Sequence, residues 1–153
     1  MKIETAKKIY NACDPWYKVV LEDEFGKENL VNRDFSDIQT IEEAIKEAGY
    51  SLDYVTLRGE ETVDEWAYRM LKVVAKALNG EWTPDWSNTS QAKWYNYFRV
   101  LPSGAGFSYS LAHNDHVEYT RLGSRLYFES QKKAQHAAKY FENLYIKYLL
   151  INK

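Results

Sequence analysis

Apolar positions recur with a helical period through the first eighty residues and with a period of two after residue 93. Ile3, Ala6, Ile9 and Tyr10 share one helical face. Asp14-Pro15 ends it, because a residue before proline is pushed out of the α region. Trp16, Val19 and Val20 follow, then the acidic run Glu22-Asp23-Glu24. That run reads as a solvated face, since neighbouring carboxylates diverge on a helix or a strand and do not converge on one ion. Ile41, Ala44, Ile45 and Ala48 fall at i, i+3, i+4 and i+7. Thr40 and Glu43 form a capping box ahead of them and Gly49 ends the run, which predicts a helix over 41–48. Leu52, Tyr54 and Thr56 alternate against Asp53, Val55 and Leu57 and predict a short edge strand.

Thr62 and Glu65 repeat the capping box ahead of two adjoining stripes. Trp66, Met70, Val73 and Ala77 lie beside Ala67, Leu71, Val74 and Leu78, so a wide-faced central helix is predicted over 63–79, stopped by Gly80. Glu65, Arg69, Lys72 and Lys76 lie on its other side, with Glu65 and Arg69 at the favourable i, i+4 spacing. Residues 81–90 read as a loop around Pro84-Asp85, with Trp82 and Trp86 on either side. Beyond it Trp94, Asn96, Phe98 and Val100 alternate with Tyr95, Tyr97 and Arg99. A turn at Pro102–Gly106 and the alternation of Phe107, Tyr109 and Leu111 make a hairpin. Residues 112–115 read as a loop, and Val117, Tyr119, Leu126 and Phe128 as a continuing antiparallel meander. Ser130 is an N-cap for a last helix of about twenty residues and roughly 30 Å, whose apolar side runs from Ala134 to Leu149. Its larger side chains supply on the order of 10 kcal/mol on burial before entropy is subtracted. The expected fold is one α+β domain over 1–153. A helical portion covers 1–60, and a core at 62–150 lays the last helix on a three- to four-stranded meander.

Composition narrows the classes. The chain of 153 residues is 45% hydrophobic and 27% charged with only 7 Gly and 3 Pro, which excludes collagen-like and disordered chains. No apolar run reaches membrane-spanning length, and Met1-Lys2-Ile3-Glu4-Thr5 carries no signal segment, so a cytoplasmic protein with no membrane partner is expected. Cys13 is the single cysteine, which rules out an intrachain disulfide and reads as an incidental thiol. Charge is uneven along the chain. Residues 1–92 hold 11 Lys/Arg against 18 Asp/Glu, and residues 93–153 hold 9 against 4 together with 13 of the 24 aromatics. Such a half can attract phosphate and stack bases, or it can be a tyrosine-rich core under a lysine-bearing helix.

Candidate chemistry follows from these patterns. Gly104-Ala105-Gly106 lacks both the third glycine and the helix of a dinucleotide fingerprint and reads as a hairpin turn. P-loop and nucleophile-elbow motifs are absent, so no cofactor is expected. His113, Asp115 and His116 are ligand types for a divalent transition metal, and a loop lets them converge with His136 as a fourth ligand. Their spacing matches no metal signature, and the same residues are ordinary in a polar hairpin loop. Trp82, Trp86, Tyr95, Tyr97, Arg99, Arg121, Arg125 and Tyr127 form the candidate binding surface, with Arg99 and Arg125 expected on a common solvent face. Core aromatics under the meander are the competing reading of the same rings.

Three segments carry a resemblance: Asn79-Gly-Glu-Trp-Thr-Pro-Asp-Trp-Ser-Asn88, Tyr97-Phe-Arg-Val-Leu-Pro-Ser-Gly-Ala-Gly-Phe-Ser-Tyr-Ser110 and Leu122-Gly-Ser-Arg-Leu-Tyr-Phe-Glu-Ser130. Over roughly residues 62–150 the chain resembles a family of small uncharacterised phage and prophage proteins of gut-type anaerobic bacteria. That family has no assigned activity, so no catalytic residue is carried over. The resemblance implies a phage-derived intracellular protein that acts on nucleic acid or on another phage or host protein. A non-enzymatic binding module, engaging a protein partner or single-stranded nucleic acid, is the expected function. A metal-assisted enzyme at His113, Asp115 and His116 is the alternative.

Overall fold

The computed structural model describes residues 1–31, 34–100, 107–115 and 123–150, with 107–115 as a backbone path. Two compact units divide the chain, Met1–Asp37 and Ile38–Lys153. Among the described residues no helix is long and apolar enough to cross a membrane.

The first unit is built from α1 (Ile3–Tyr10), α2 (Pro15–Phe25), α3 (Lys27–Leu30) and a 3₁₀ turn at Phe35–Asp37. Pro15 opens α2 at a position where its missing N–H costs nothing. Gly26, at φ +77°, turns the chain from α2 into α3. Ala6, Tyr10, Leu21 and Leu30 are buried together, with Ile9, Cys13, Tyr17 and Phe25 packed against them. The Tyr10 hydroxyl donates to the Glu22 carboxylate, so Glu22 of the acidic run is partnered within its own unit.

In the second unit α4 (Ile41–Glu47) starts at the expected capping box. The Thr40 hydroxyl accepts from Glu43 N at 3.3 Å and the Glu43 carboxylate accepts from Thr40 N at 3.0 Å. A 3₁₀ turn at Leu52–Val55 replaces the expected edge strand. The reason lies in its carbonyls. Those of Tyr54 and Thr56 accept from the Arg69 guanidinium and that of Val55 from the Trp66 indole, so no ladder is open to them. Helix α5 (Val63–Asn79) runs as its stripes predict and buries Ala67, Met70, Leu71, Val73, Val74, Ala75, Ala77 and Leu78. Arg69, expected on the wet side beside Glu65, is buried and pairs with Glu61 instead. Glu65 is engaged at the helix start, where it accepts from Thr62 N at 2.8 Å.

Strands β1 (Lys93–Val100) and β2 (Phe107–Asp115) form an antiparallel hairpin, with Ser110 left over in the register between Tyr97 and Phe98. The expected meander goes no further, and the α+β expectation is corrected to a mostly helical fold carrying one hairpin. Residues 112–115, expected as a loop, are strand. Arg125 and Leu126, expected as strand, belong to a 3₁₀ turn at Ser124–Leu126 entered through Gly123 at φ +79°. After it Phe128 exchanges both backbone hydrogen bonds with Trp94, a single bridge. On the far side of that bridge the Asn79 amide donates to Tyr127 O at 2.8 Å and accepts from Glu129 N at 3.0 Å. The groups that would extend a ladder are therefore already used. The last helix is interrupted at Phe141 (φ −121°, ψ 23°), giving α6 (Gln131–Tyr140) and α7 (Glu142–Leu149). Helix α6 packs on the hairpin and α7 on α5.

Candidate cleft of aromatic and basic side chains

A cleft of about 780 Å³ opens along α5 in the second unit. Its floor is the helix face bearing Lys72, Val73, Lys76 and Asn79. Tyr50 and Tyr54 stand on one side, and residues 81–84 with the 124–127 segment on the other.

Local structure places each wall. Helix α4 ends in a Schellman turn. Tyr50 N donates to Ile45 O at 3.0 Å and Gly49 N to Lys46 O at 3.1 Å, and Gly49 holds φ +84°, where a side chain is strained. That turn delivers the Tyr50 ring onto Tyr54, with centroids 4.3 Å apart and planes 15° apart. Lys76 Nζ lies 4.6 Å from the Tyr50 ring centre, and the Arg58 and Arg69 guanidinium carbons lie 4.6 and 4.9 Å from that of Tyr54. A stacked pair of rings flanked by cations thus forms this wall.

The opposite wall rests on the loop after α5. Asp85 accepts from the Ser87 amide and hydroxyl, which holds its carboxyl below the usual range. Gln91 bridges back, accepting from Asp85 N at 2.6 Å and donating to Thr83 O at 3.2 Å. Lys93 is fully buried. Its ammonium donates to Asn88 O and Gln91 O, both at 2.9 Å, and lies 5.4 Å from the Trp86 ring centre. The Trp86 indole donates to Ser124 Oγ at 2.8 Å and so ties the loop to the turn that carries Arg125.

The eight residues of the expected surface fall into different places. Trp82 and Arg125 line the cleft, and Arg125 is exposed. Tyr127 borders it but is a core residue at 1% exposure, edge-on to Trp86 at 5.1 Å and against Tyr95 at 5.5 Å. Tyr95 is buried as well, so these two rings belong to the core and not to a solvent face. Tyr97 and Arg99 are exposed at the distal end of β1 and are not among the residues lining the cleft, whereas Arg125 is. Arg121 lies outside the described residues. Of the metal alternative, His113 and Asp115 lie on β2, in register with Tyr95 and Lys93. Their side chains and the whole of His116 lie outside what is described. His136 Nε2 donates to Ile38 O at 2.6 Å. Among the described residues no three His, Cys, Asp or Glu side chains are grouped to hold a metal ion.

Most of the lining residues do not stand out in the sequence as site residues, the rings and cations Tyr50, Tyr54, Lys72 and Lys76 among them. The i, i+4 spacing of Lys72 and Lys76 was visible, but the polar side of an amphipathic helix ordinarily faces water. Among the described residues, Lys72, Lys76 and Arg125 line the cleft with one carboxylate, Glu81, while the charge of Arg69 is matched by Glu61. The cleft is therefore basic within a chain of net charge −2. No protein-family model, no curated protein and no solved structure matches the chain.

Proposed function

We propose that the chain is a non-enzymatic binding protein of phage or prophage origin, acting in the cytoplasm, whose second unit takes single-stranded nucleic acid in the α5 cleft. The observation that carries this reading is the meeting of Lys72, Lys76 and Arg125 with the rings of Tyr50 and Trp82 in one concave site. Phosphates need the cations and unstacked bases need the ring faces. The excess of cations over the single carboxylate favours nucleic acid over a protein partner.

The test is fluorescence anisotropy of a labelled single-stranded oligonucleotide at low salt. Saturable binding is expected, with log K falling against log salt at a slope of about −2, from three phosphate contacts at roughly 0.7 each. Trp82→Ala should weaken binding by roughly 5- to 150-fold, the worth of one stacked base. No anisotropy change up to tens of micromolar protein would end the nucleic-acid reading and leave a protein partner as the ligand to seek.

A further inference from the structure

We infer that Arg69 is a positioning residue that holds the aromatic wall of the cleft in its binding form, an inference that rests on the nucleic-acid reading above. Arg69 sits mid-way along α5 at 7% exposure. Its Nε and one terminal nitrogen grip both Glu61 carboxylate oxygens at 2.7 Å. The same terminal nitrogen donates to Thr56 O at 3.0 Å, and the other donates to Tyr54 O. One planar group thus fixes three points of the 54–61 segment to the helix, while its face supports the Tyr54 ring on which Tyr50 stacks. The segment also packs its 52–55 turn on α4 and stacks Tyr54 on Tyr50, but its 56–60 stretch is exposed. Leu52 and Leu57 are exposed at 59% and 49%, and the Trp66 indole bonded to Val55 O at 2.6 Å is the other side chain of α5 that grips its backbone.

Lysine keeps the charge but has no fork, so it cannot span carboxylate and carbonyls together. Arg69→Lys is therefore the informative variant. Because Arg69 is neutralised by Glu61, it makes no phosphate contact in this scheme, and the slope of affinity against salt separates its role from that of Lys72 or Lys76. If the wall is formed one-tenth of the time in the variant, affinity falls about tenfold, since apparent affinity scales with the competent fraction.

The experiment combines hydrogen–deuterium exchange of the free protein with the oligonucleotide titration, on wild type and Arg69→Lys. Expected are faster exchange confined to residues 50–61, retained protection over α5, an affinity loss of about tenfold and an unchanged salt slope. Unchanged exchange at 50–61 overturns the inference without bearing on nucleic-acid binding. Absent binding in wild type overturns the reading it rests on, while the exchange result stands by itself. A shallower salt slope in the variant also overturns it, making Arg69 a direct phosphate contact. So does global loss of protection, which makes the residue a general fold determinant; Glu61→Gln, which weakens the same grip from the other end, then separates local from global loosening.

Discussion

Asn79 closes α5 and at the same time holds the backbone that carries Tyr127 and Glu129, and its removal is the sharpest test of the second unit. Asn79→Ala leaves Tyr127 O without its donor in a part-buried site, a loss of about 1–3 kcal/mol. Glu129 N is exposed and can turn to water, so its loss is worth only about 0.5–1 kcal/mol. Alanine recovers roughly 0.5 kcal/mol of helix propensity at the last helical position. The net is about 2 kcal/mol, or a drop in melting temperature of roughly 6–12 °C for a unit of this size. Circular dichroism melts of wild type, Asn79→Ala and Asn79→Asp measure it. The aspartate keeps the acceptor for Glu129 N and loses the donor to Tyr127 O, so it isolates the larger contribution. A melting temperature of Asn79→Ala within about 2 °C of wild type would show that the 127–129 segment is held by its side chains and the Trp94 bridge without help from Asn79, which would remove the reason given for the end of the sheet.

Acid should loosen the wall of the cleft. Hydrogen bonds from Arg69 hold the Glu61 carboxyl at about 2, below its ordinary 4.5. A depressed carboxylate contributes stability that is complete above the unfolded value and disappears as pH falls towards the folded one. Urea midpoints should therefore be level at neutral pH and decline from about pH 5 downward, and Glu61→Gln should be less stable at neutral pH with a shallower decline. Parallel declines in the two proteins would assign the acid sensitivity elsewhere. A chain ending at Ser130 removes Ala134, Ala137, Phe141, Leu144 and Tyr145, all buried, from the second unit. At about 1.5–3 kcal/mol for each of the three large side chains, the loss is roughly 5–9 kcal/mol, comparable with the whole margin of an ordinary domain, and no cooperative melt of that unit should remain. A sharp calorimetric transition in the shortened chain would contradict this.

The helices at 41–47 and 63–79 were legible because the first two signals of a helix, a capping box and a stripe, agree there with tertiary burial. The misreadings share a cause. Residues 52–57 and 125–129 alternate like strands, but the groups that would have made a ladder bond to side chains distant in sequence, those of Arg69, Trp66 and Asn79. Periodicity reports which side chains want burial and says nothing of which donor reaches a carbonyl first. Phe141 is hidden for a related reason. It continues the apolar spacing of the last helix while its backbone leaves the helical region. In the cleft, Trp82 stood out as a ring in a loop and Arg125 as a cation on the solvent side of an expected strand. Lys72 and Lys76 did not, because a helix's wet face becomes a floor only when other segments rise around it.

The break at Phe141 has a mechanical consequence. An unbroken rod of that length would lie along a single neighbour, whereas two short cylinders joined at one buried residue reach two, the hairpin and α5. The C-terminal segment therefore works as a clasp with its pin at Phe141. Force or heat that frees either arm deprives the other of its anchor, so the hairpin and the helical layer should come apart in one event and not in sequence.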